Sequence, residues 1–324
     1  MSMAGYIGKR IAWAVVASFL ILTVTFVLLR ITPNPQLASV QLEAAQAGAD
    51  AEEAVEAYRV QRGLDEPLYV QYFDYLKNMA TLNWGWSETN SMPVTQAIAE
   101  AIPYSLMYAV PSLVLSTVLG LVIGLYSATH QYTKKDYAAT FFAFFGLSIP
   151  DFWFAIILLV IFGSFLNWVP ILFDPNVAAF SFVNARQLVL PVVVLTLSSI
   201  AGLMRYSRAE ALEYVEAEFV KTARAKGVSE RRVLYRHIFR PASVPLATIL
   251  VGDLLTIVLA SSYLIEVVFG IPGLGKLSFD AIVNQDTELV LGTVLVPAFL
   301  VIISNLAQDI AYTLLDPRID YGDR

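Results

Sequence analysis

Residues 11–29 read Ile11-Ala-Trp-Ala-Val-Val-Ala-Ser-Phe-Leu-Ile-Leu-Thr-Val-Thr-Phe-Val-Leu-Leu29, an uncharged run preceded by Lys9 and Arg10. At 1.5 Å per residue, a helix of that length matches the roughly 30 Å hydrocarbon core of a bilayer. A secretory leader is the rival reading. Its apolar region usually spans about 7–15 residues and closes with a small-x-small cleavage site. This run is longer and has no such site, so it reads as a retained first span.

The rest of the chain has the same character. Of 324 residues, 57% are hydrophobic and only 15% charged, and the mean hydropathy of +0.63 is too high for an ordinary water-soluble domain. Five more apolar stretches follow, at 104–126, 138–166, 187–206, 247–265 and 289–315. The expected fold is an all-α polytopic membrane protein of about six transmembrane helices.

The basic residues give an orientation. With the N-terminus inside, fifteen of the 21 lysines and arginines fall on the inner side, among them Lys134, Lys135, Arg205, Arg208 and the arginines of 224–240. That bias predicts both termini inside, which requires an even number of spans. Residues 31–103 then form an outer insertion, and 207–246 an inner loop between the fourth and fifth spans; 104–324 make up a five-helix core.

The net charge of −6 belongs to the insertion, where ten carboxylates face Arg59, Arg62 and Lys77 for a local net of −7. The remainder is close to neutral, which argues against a nucleic-acid partner. The first half of the insertion, 43–62, reads as an alanine- and glutamate-rich helix ended near Gly63. In the second half Tyr69, Tyr72, Phe73, Tyr75, Trp84 and Trp86 offer either a small packed cap or rings at the membrane interface. There is no cysteine, and His130 and His237 are the two histidines, so no zinc-thiolate or histidine-rich metal site is expected.

The inner loop is the informative segment. Leu212, Val215 and Phe219 recur at helical spacing, Gly227 suits a positive-φ helix C-cap, and Ser229 suits the N-cap of a second short helix. Lys221, Arg224 and Lys226 sit where cations complement the helix dipole. The small residues Thr222, Ala223 and Ala225 would allow another protein to approach closely. Composition fits equally a positively charged anchor lying on the membrane surface.

Thr222-Ala-Arg-Ala-Lys-Gly227, with Arg236-His-Ile-Phe-Arg240 downstream, resembles the signature loop of ABC-importer permeases of the dipeptide and oligopeptide type. Gly63-Leu-Asp-Glu-Pro-Leu-Tyr-Val-Gln-Tyr72, Ser148-Ile-Pro-Asp-Phe-Trp153, Glu266-Val-Val-Phe-Gly-Ile-Pro-Gly-Leu-Gly275 and Asp316-Pro-Arg-Ile-Asp-Tyr321 are similar to the first permease of the pair. Two departures stand out. Lys221 occupies the position of a glutamate in the wider importer loop, and Leu82-Asn-Trp-Gly-Trp-Ser87 replaces the usual Gly-Asp-Leu-Gly-Tyr-Ser.

The resemblance implies a translocating subunit with no ATPase site of its own, paired with a second homologous permease. It also implies two cytoplasmic ATPase subunits that bind ATP and Mg, and an extracytoplasmic substrate-binding protein. The coupling loop would comprise Glu218, Phe219, Lys221, Thr222, Ala223, Arg224, Ala225, Lys226 and Gly227. Its helix would move as a lever between inward-open and outward-open states. The cargo implied is a di- or oligopeptide, with glutathione and nickel chelates as the alternatives, and the location is the cell membrane.

Other residues carry weaker readings. Asp253, in an apolar run where a charge costs at least about 2.5 kcal/mol, either lines a polar path or is hydrated near the inner end. Thr256, Ser261, Ser262, Ser304 and Asn305 fit such a path or ordinary helix contacts. Asp309 and Arg205 read as interfacial. Pro111, Pro150, Pro191, Pro245 and Pro297 are candidates to kink their spans.

Gly270-Ile-Pro-Gly-Leu-Gly-Lys276-Leu277 nearly spells a phosphate-binding loop, but Leu277 stands where a magnesium-binding hydroxyl is required. Glu266, Pro272, Gly273 and Gly275 are read instead as a re-entrant turn at an outer gate. Ser198 and Ser199 lack a nearby histidine, so neither an intramembrane hydrolase nor other covalent chemistry is expected. A secondary transporter is the remaining rival, and no repeated halves are detectable.

Overall fold

A computed structural model describes residues 3–243 and 263–315. Four of its helices are long and apolar enough to cross a membrane: α1 (Met3–Ile31), α5 (Val94–Thr129), α8 (Phe182–Val215) and α13 (Thr287–Leu315). A fifth crossing follows if α6 (Lys134–Ser148) and α7 (Asp151–Leu158), with the π-helical Leu159–Phe165, count as one bent span. The protein is thus an all-α multi-pass membrane protein with four to five apolar spans among the described residues. Most of the expected run at 247–265, and Pro245, lie outside those residues.

The expected span at 138–166 is not one helix. It breaks at Ile149–Pro150, where the axis turns by 99°. Pro150 has no N–H to give and forces Ile149 into extended backbone (φ −97°, ψ 129°), so α6 ends and a new helix starts. Pro103, Pro111, Pro191 and Pro297, by contrast, lie inside continuous helices.

The insertion folds as α2 (Pro35–Gln46), α3 (Ala51–Gln61), α4 (Leu68–Ala80) and a hairpin of β1 (Trp86–Ser87) and β2 (Met92–Pro93). The single helix expected over 43–62 is two, broken at Gly48 (φ +70°) and restarted by Asp50, whose carboxylate accepts from the amides of Glu52 and Glu53. Gly63 ends α3 at φ +61°, as expected. Tyr72 and Tyr75 pack on Phe26 of α1 with ring centroids 5.1 and 5.5 Å away, while Tyr69, Phe73 and Trp86 are exposed. Of these rings Tyr72 and Tyr75 lean on the first span, and Trp84 packs instead beside Val94, Ile98 and Leu289, so they do not close a cap among themselves.

Polar side chains tie the insertion to α13. Glu288 accepts from Gln36 Nε2 and from Arg62, both at 2.9 Å, and Asp286 accepts from Ser87 Oγ at 2.7 Å and from the Leu289 amide at 3.0 Å. Asp286 thereby caps α13 and clasps the hairpin together. Tyr58 donates to Gln36 Oε1 at 2.6 Å, and burial raises its phenol pKa, which keeps that donor protonated.

Among the described residues the most extensive helix pairing is α5 against α8. Ser112, Ser116, Gly120 and Gly124, four residues apart, put one row of small side chains on α5 and let the backbones approach. A Cβ on Gly124 would meet the Met204 carbonyl at 2.6 Å, and one on Gly120 would meet Leu203 Cβ at 2.6 Å. Ser207 Oγ reaches the Leu121 carbonyl at 3.1 Å across this contact. Tyr108, Ala109, Leu190 and Val194 continue the pair into a buried core with Ala155 of α7 and with Ile265 and Phe269 of α11 (Tyr263–Phe269).

Candidate functional site

At the far end of the α5–α8 pair the chain turns at Glu216 and forms α9 (Glu218–Ala225). Lys226 closes that helix and Gly227 follows at φ +74°. A Cβ there would meet nothing within 4 Å, so it is the backbone conformation that calls for glycine. Ser229 stands at the N-cap of α10 (Glu230–Arg232), but its hydroxyl makes no cap hydrogen bond. The Ser229 carbonyl accepts from Arg232 and Val233 instead, and the chain continues as π-helix over Val233–Phe239.

The burial of α9 corrects the expected small-residue docking face. Val220 and Ala223 point inward and are buried with Leu125 and Ala128 of α5, Ala211 of α8, and Val233 and Ile238. Glu218, Phe219, Lys221, Thr222, Arg224, Ala225, Lys226 and Gly227 are exposed. Phe219, 48% exposed, does not continue the partly buried row of Leu212 and Val215, because the turn at Glu216 separates them. Arg224 is held by Glu230 at 3.0 and 3.3 Å and reaches the Val215 carbonyl at 3.4 Å; Lys221 pairs with Glu218 at 3.0 Å. The result is a short helix rooted in the ends of two spans, with its outer face exposed among the described residues.

Beside it lies a buried ionic knot. Asp136, 2% exposed, accepts from Ser127 Oγ, from the Tyr132 amide at 2.9 Å and from Arg208 at 2.9 Å. It joins α5, α6 and α8 just above α9. From sequence Arg208 reads as one more inner cation, and nothing local marks Asp136, a carboxylate beside a turn, as buried.

The second site is the Gly-Pro loop between α11 and α12 (Leu274–Val283). Glu266 is fully buried. Its Oε1 accepts from Ser105 Oγ and Tyr108 OH, both at 2.7 Å, and its Oε2 accepts from the Lys276 amide at 2.9 Å. Ser105 Oγ in turn accepts from the Leu274 amide at 2.8 Å. Gly273 and Gly275 are buried against this carboxylate, and a Cβ on Gly273 would sit 2.4 Å from Glu266 Oε1. Pro272 is half-buried in the same turn. Within the apparent phosphate loop the Leu274 and Lys276 amides are spent on Ser105 and the internal carboxylate, the Gly270, Ile271, Gly273 and Leu277 amides bond backbone carbonyls, and Lys276 Nζ pairs with Asp280 at 2.5 Å. Ser105 and Tyr108 do not stand out in the sequence. The row of small residues one α-helical turn apart, running up to Tyr108, is the signal that could have found them.

The remaining candidates divide. Asp253, Thr256, Ser261 and Ser262 lie outside the described residues. Ser304 is 1% exposed within the protein and Asn305 is exposed, so the two do not line one surface. Asp309 pairs with Arg10 of α1 at 2.8 Å, and Arg205 lies 5.9 Å from the centre of the Phe144 ring.

Two family models match. Residues 120–321 match the binding-protein-dependent transport system inner membrane component, and residues 3–109 match the N-terminal part of such membrane components. The chain is 34% identical to the oligopeptide transport system permease protein AppB of Bacillus subtilis, over 98% of this chain and all of that protein. It is 33% identical to the oligopeptide permease OppB of Haemophilus influenzae, over 98% of this chain and all of that protein. It is also 33% identical to the dipeptide permease DppB of Lactococcus lactis, over 98% of this chain and 99% of that protein. These matches run along the whole length: the chain belongs to the family of binding-protein-dependent transport system inner membrane components, the permease subunits of ABC importers.

Proposed function

We propose that this permease subunit passes di- or oligopeptides across the cell membrane, both termini inside, with about six spans once 247–265 is included. The peptide cargo rests on the relatives' names, each a peptide permease. A second homologous permease would complete the pathway, a substrate-binding protein would deliver cargo on the insertion side, and two ATPase subunits would supply ATP hydrolysis. Glu266, Pro272, Gly273 and Gly275 belong to the outer gate in this reading, and Asp253, Thr256, Ser261 and Ser262 to the path.

The observation that carries the proposal is the two-faced α9. Its inner face, Val220 and Ala223, is packed on the ends of α5 and α8, so a force on its exposed face is passed to both spans. Interiors packed at crystal-like density shift as units, which suits a lever between two states.

The test is co-purification with the candidate ATPases in mild detergent. Ala225→Arg changes the exposed face and should lose the ATPase while leaving the thermal midpoint of the chain unchanged. Ala223→Arg should lower both, because it buries a charge. A native chain that purifies alone and transports in sealed vesicles without ATP would instead be a secondary transporter. Orientation is read separately: the sequence has no cysteine, so Glu52→Cys and Thr222→Cys each present one thiol. An impermeant maleimide should label the first in intact cells and the second only after permeabilisation.

A further inference from the structure

Helices α1 and α13 meet at one end through Arg10 and Asp309, 2.8 Å apart. Towards the other end a cavity of about 1070 Å³ opens between the last two turns of α1, the first two turns of α13, and helices α2 to α4. Its floor is apolar, with Phe26, Leu29, Leu291 and Val294, and its rim is charged. Two of the three rim arginines are committed: Arg62 to Glu288 at 2.9 Å and Arg59 to Glu56 at 3.8 Å. Arg30 is different. It makes no hydrogen bond or ion pair with any described residue, and its guanidinium lies 5.2 Å over the Phe26 ring.

We propose that this cavity binds a phospholipid, its phosphate on Arg30 and its acyl chains along the α1–α13 floor. Three features select that occupant. The volume is at the top of the roughly 300–1,000 Å³ range of small-molecule pockets. The cation stands in the final turn of an apolar helix long enough to cross a membrane, the end that a span of that length brings to the headgroup region. The wall beyond it is apolar and continuous with the lipid-facing surface of α1, where Val24, Val27 and Leu28 are exposed. A small anion would meet the cation and leave the apolar floor wet; an uncharged lipid would fill the floor and leave the cation unmatched. Such a lipid would fasten the insertion to the first span, which otherwise packs on the rest of the chain through little buried surface.

The experiment is native mass spectrometry of the full-length chain, alone and within its purified complex, titrated with phosphatidylglycerol, with diacylglycerol and with inorganic phosphate. Phosphatidylglycerol should bind at one site in both preparations. Arg30→Gln should weaken it about tenfold, the loss of one charge-assisted contact. Val294→Trp, which fills the floor while leaving the cation, should weaken it as well. The thermal midpoint of lipid-free Arg30→Gln should stay close to that of the native chain, since Arg30 holds no hydrogen bond with any described residue and its contact with the Phe26 ring contributes little. Equal binding by Arg30→Gln would overturn the proposal. So would diacylglycerol binding as tightly as the phospholipid, inorganic phosphate competing for the site, or lipid binding to the isolated chain that disappears in the complex, which would assign the cavity to a partner subunit.

Discussion

The hydroxyl of Tyr108 on α5 donates a 2.7 Å hydrogen bond to Oε1 of Glu266, a carboxylate 158 positions away with no exposure to solvent. Ser105 adds a second donor to that oxygen and the Lys276 amide a third to the other. Removing the acceptor strands two buried hydroxyl donors, each worth about 1–3 kcal/mol unsatisfied, and one part-buried amide. Glu266→Gln keeps one oxygen for Ser105 and Tyr108 but turns an amide group towards the Lys276 N–H. We expect it to lose about 1–3 kcal/mol, and Glu266→Leu to lose more, by thermal unfolding in detergent. If the two variants unfold together with the native chain, the clasp contributes nothing to stability.

Gly273 and Gly227 are both glycines for different reasons, and alanine separates them. At Gly273 the backbone is ordinary (φ −91°), but a Cβ would lie 2.4 Å from Glu266 Oε1 and 2.5 Å from Ser105 Oγ. At Gly227 there is room, but φ is +74°. Gly273→Ala should therefore displace the loop and cost about 1–3 kcal/mol. Gly227→Ala should cost about 1–2 kcal/mol from backbone strain alone, and Gly227→Asn less. The comparison is decided by whether Gly227→Asn outlasts Gly227→Ala on heating.

Close approach of α5 and α8 rests on the small-residue row far more than on its hydrogen bonds. An interhelical hydrogen bond in a membrane averages about 0.6 kcal/mol, so Ser207→Ala should barely register. Gly124→Leu inserts four carbons where even a Cβ meets the Met204 carbonyl at 2.6 Å, and overpacking of this kind typically costs about 1–3 kcal/mol or more. The order of thermal midpoints, Ser207→Ala near native and Gly124→Leu well below it, is the expected result.

Asp136→Asn should loosen the junction of α5, α6 and α8. The variant leaves the Arg208 charge without its carboxylate on a side chain three-quarters covered, and breaking a buried pair on one side costs about 3–5 kcal/mol, less here because that side chain retains 25% exposure. The double variant Asp136→Asn, Arg208→Met should recover part of that loss. Hydrogen exchange over 125–140 and 204–240 would report the change, and a double variant less stable than Asp136→Asn would contradict it.

Much of this protein is legible in one dimension. Apolar length is a local property, so 11–29, 104–126, 187–206 and 289–315 can be read as helices without knowing their neighbours, and each lies inside a helix of the structure. The C-terminal end of α9 is equally readable, because the conformation of Gly227 depends on its own missing side chain. Pro111, Pro191 and Pro297 sit in continuous helices while Pro150 turns the chain by 99°, and nothing in the sequence separates them. A proline's missing hydrogen bond can be made good by neighbouring helices in one place and left to break the helix in another.

Facing, too, is settled by tertiary packing. Thr222, Ala223 and Ala225 are all small, yet only Ala223 is turned into the core, because α5 and α8 end where they do and the turn at Glu216 sets the rotation of α9. Glu266 looks like a residue of an outer gate, and Asp136 like nothing in particular. Burial with full hydrogen bonding is a relation among distant segments, supplied here by Ser105, Tyr108, Ser127 and Arg208. The sequence alone determined that the chain enters the membrane and where its short helix α9 ends, since both follow from properties of contiguous residues. Which carboxylates are held inside, and which face of α9 is left exposed, was decided by the tertiary structure, because each depends on atoms that only folding brings close together.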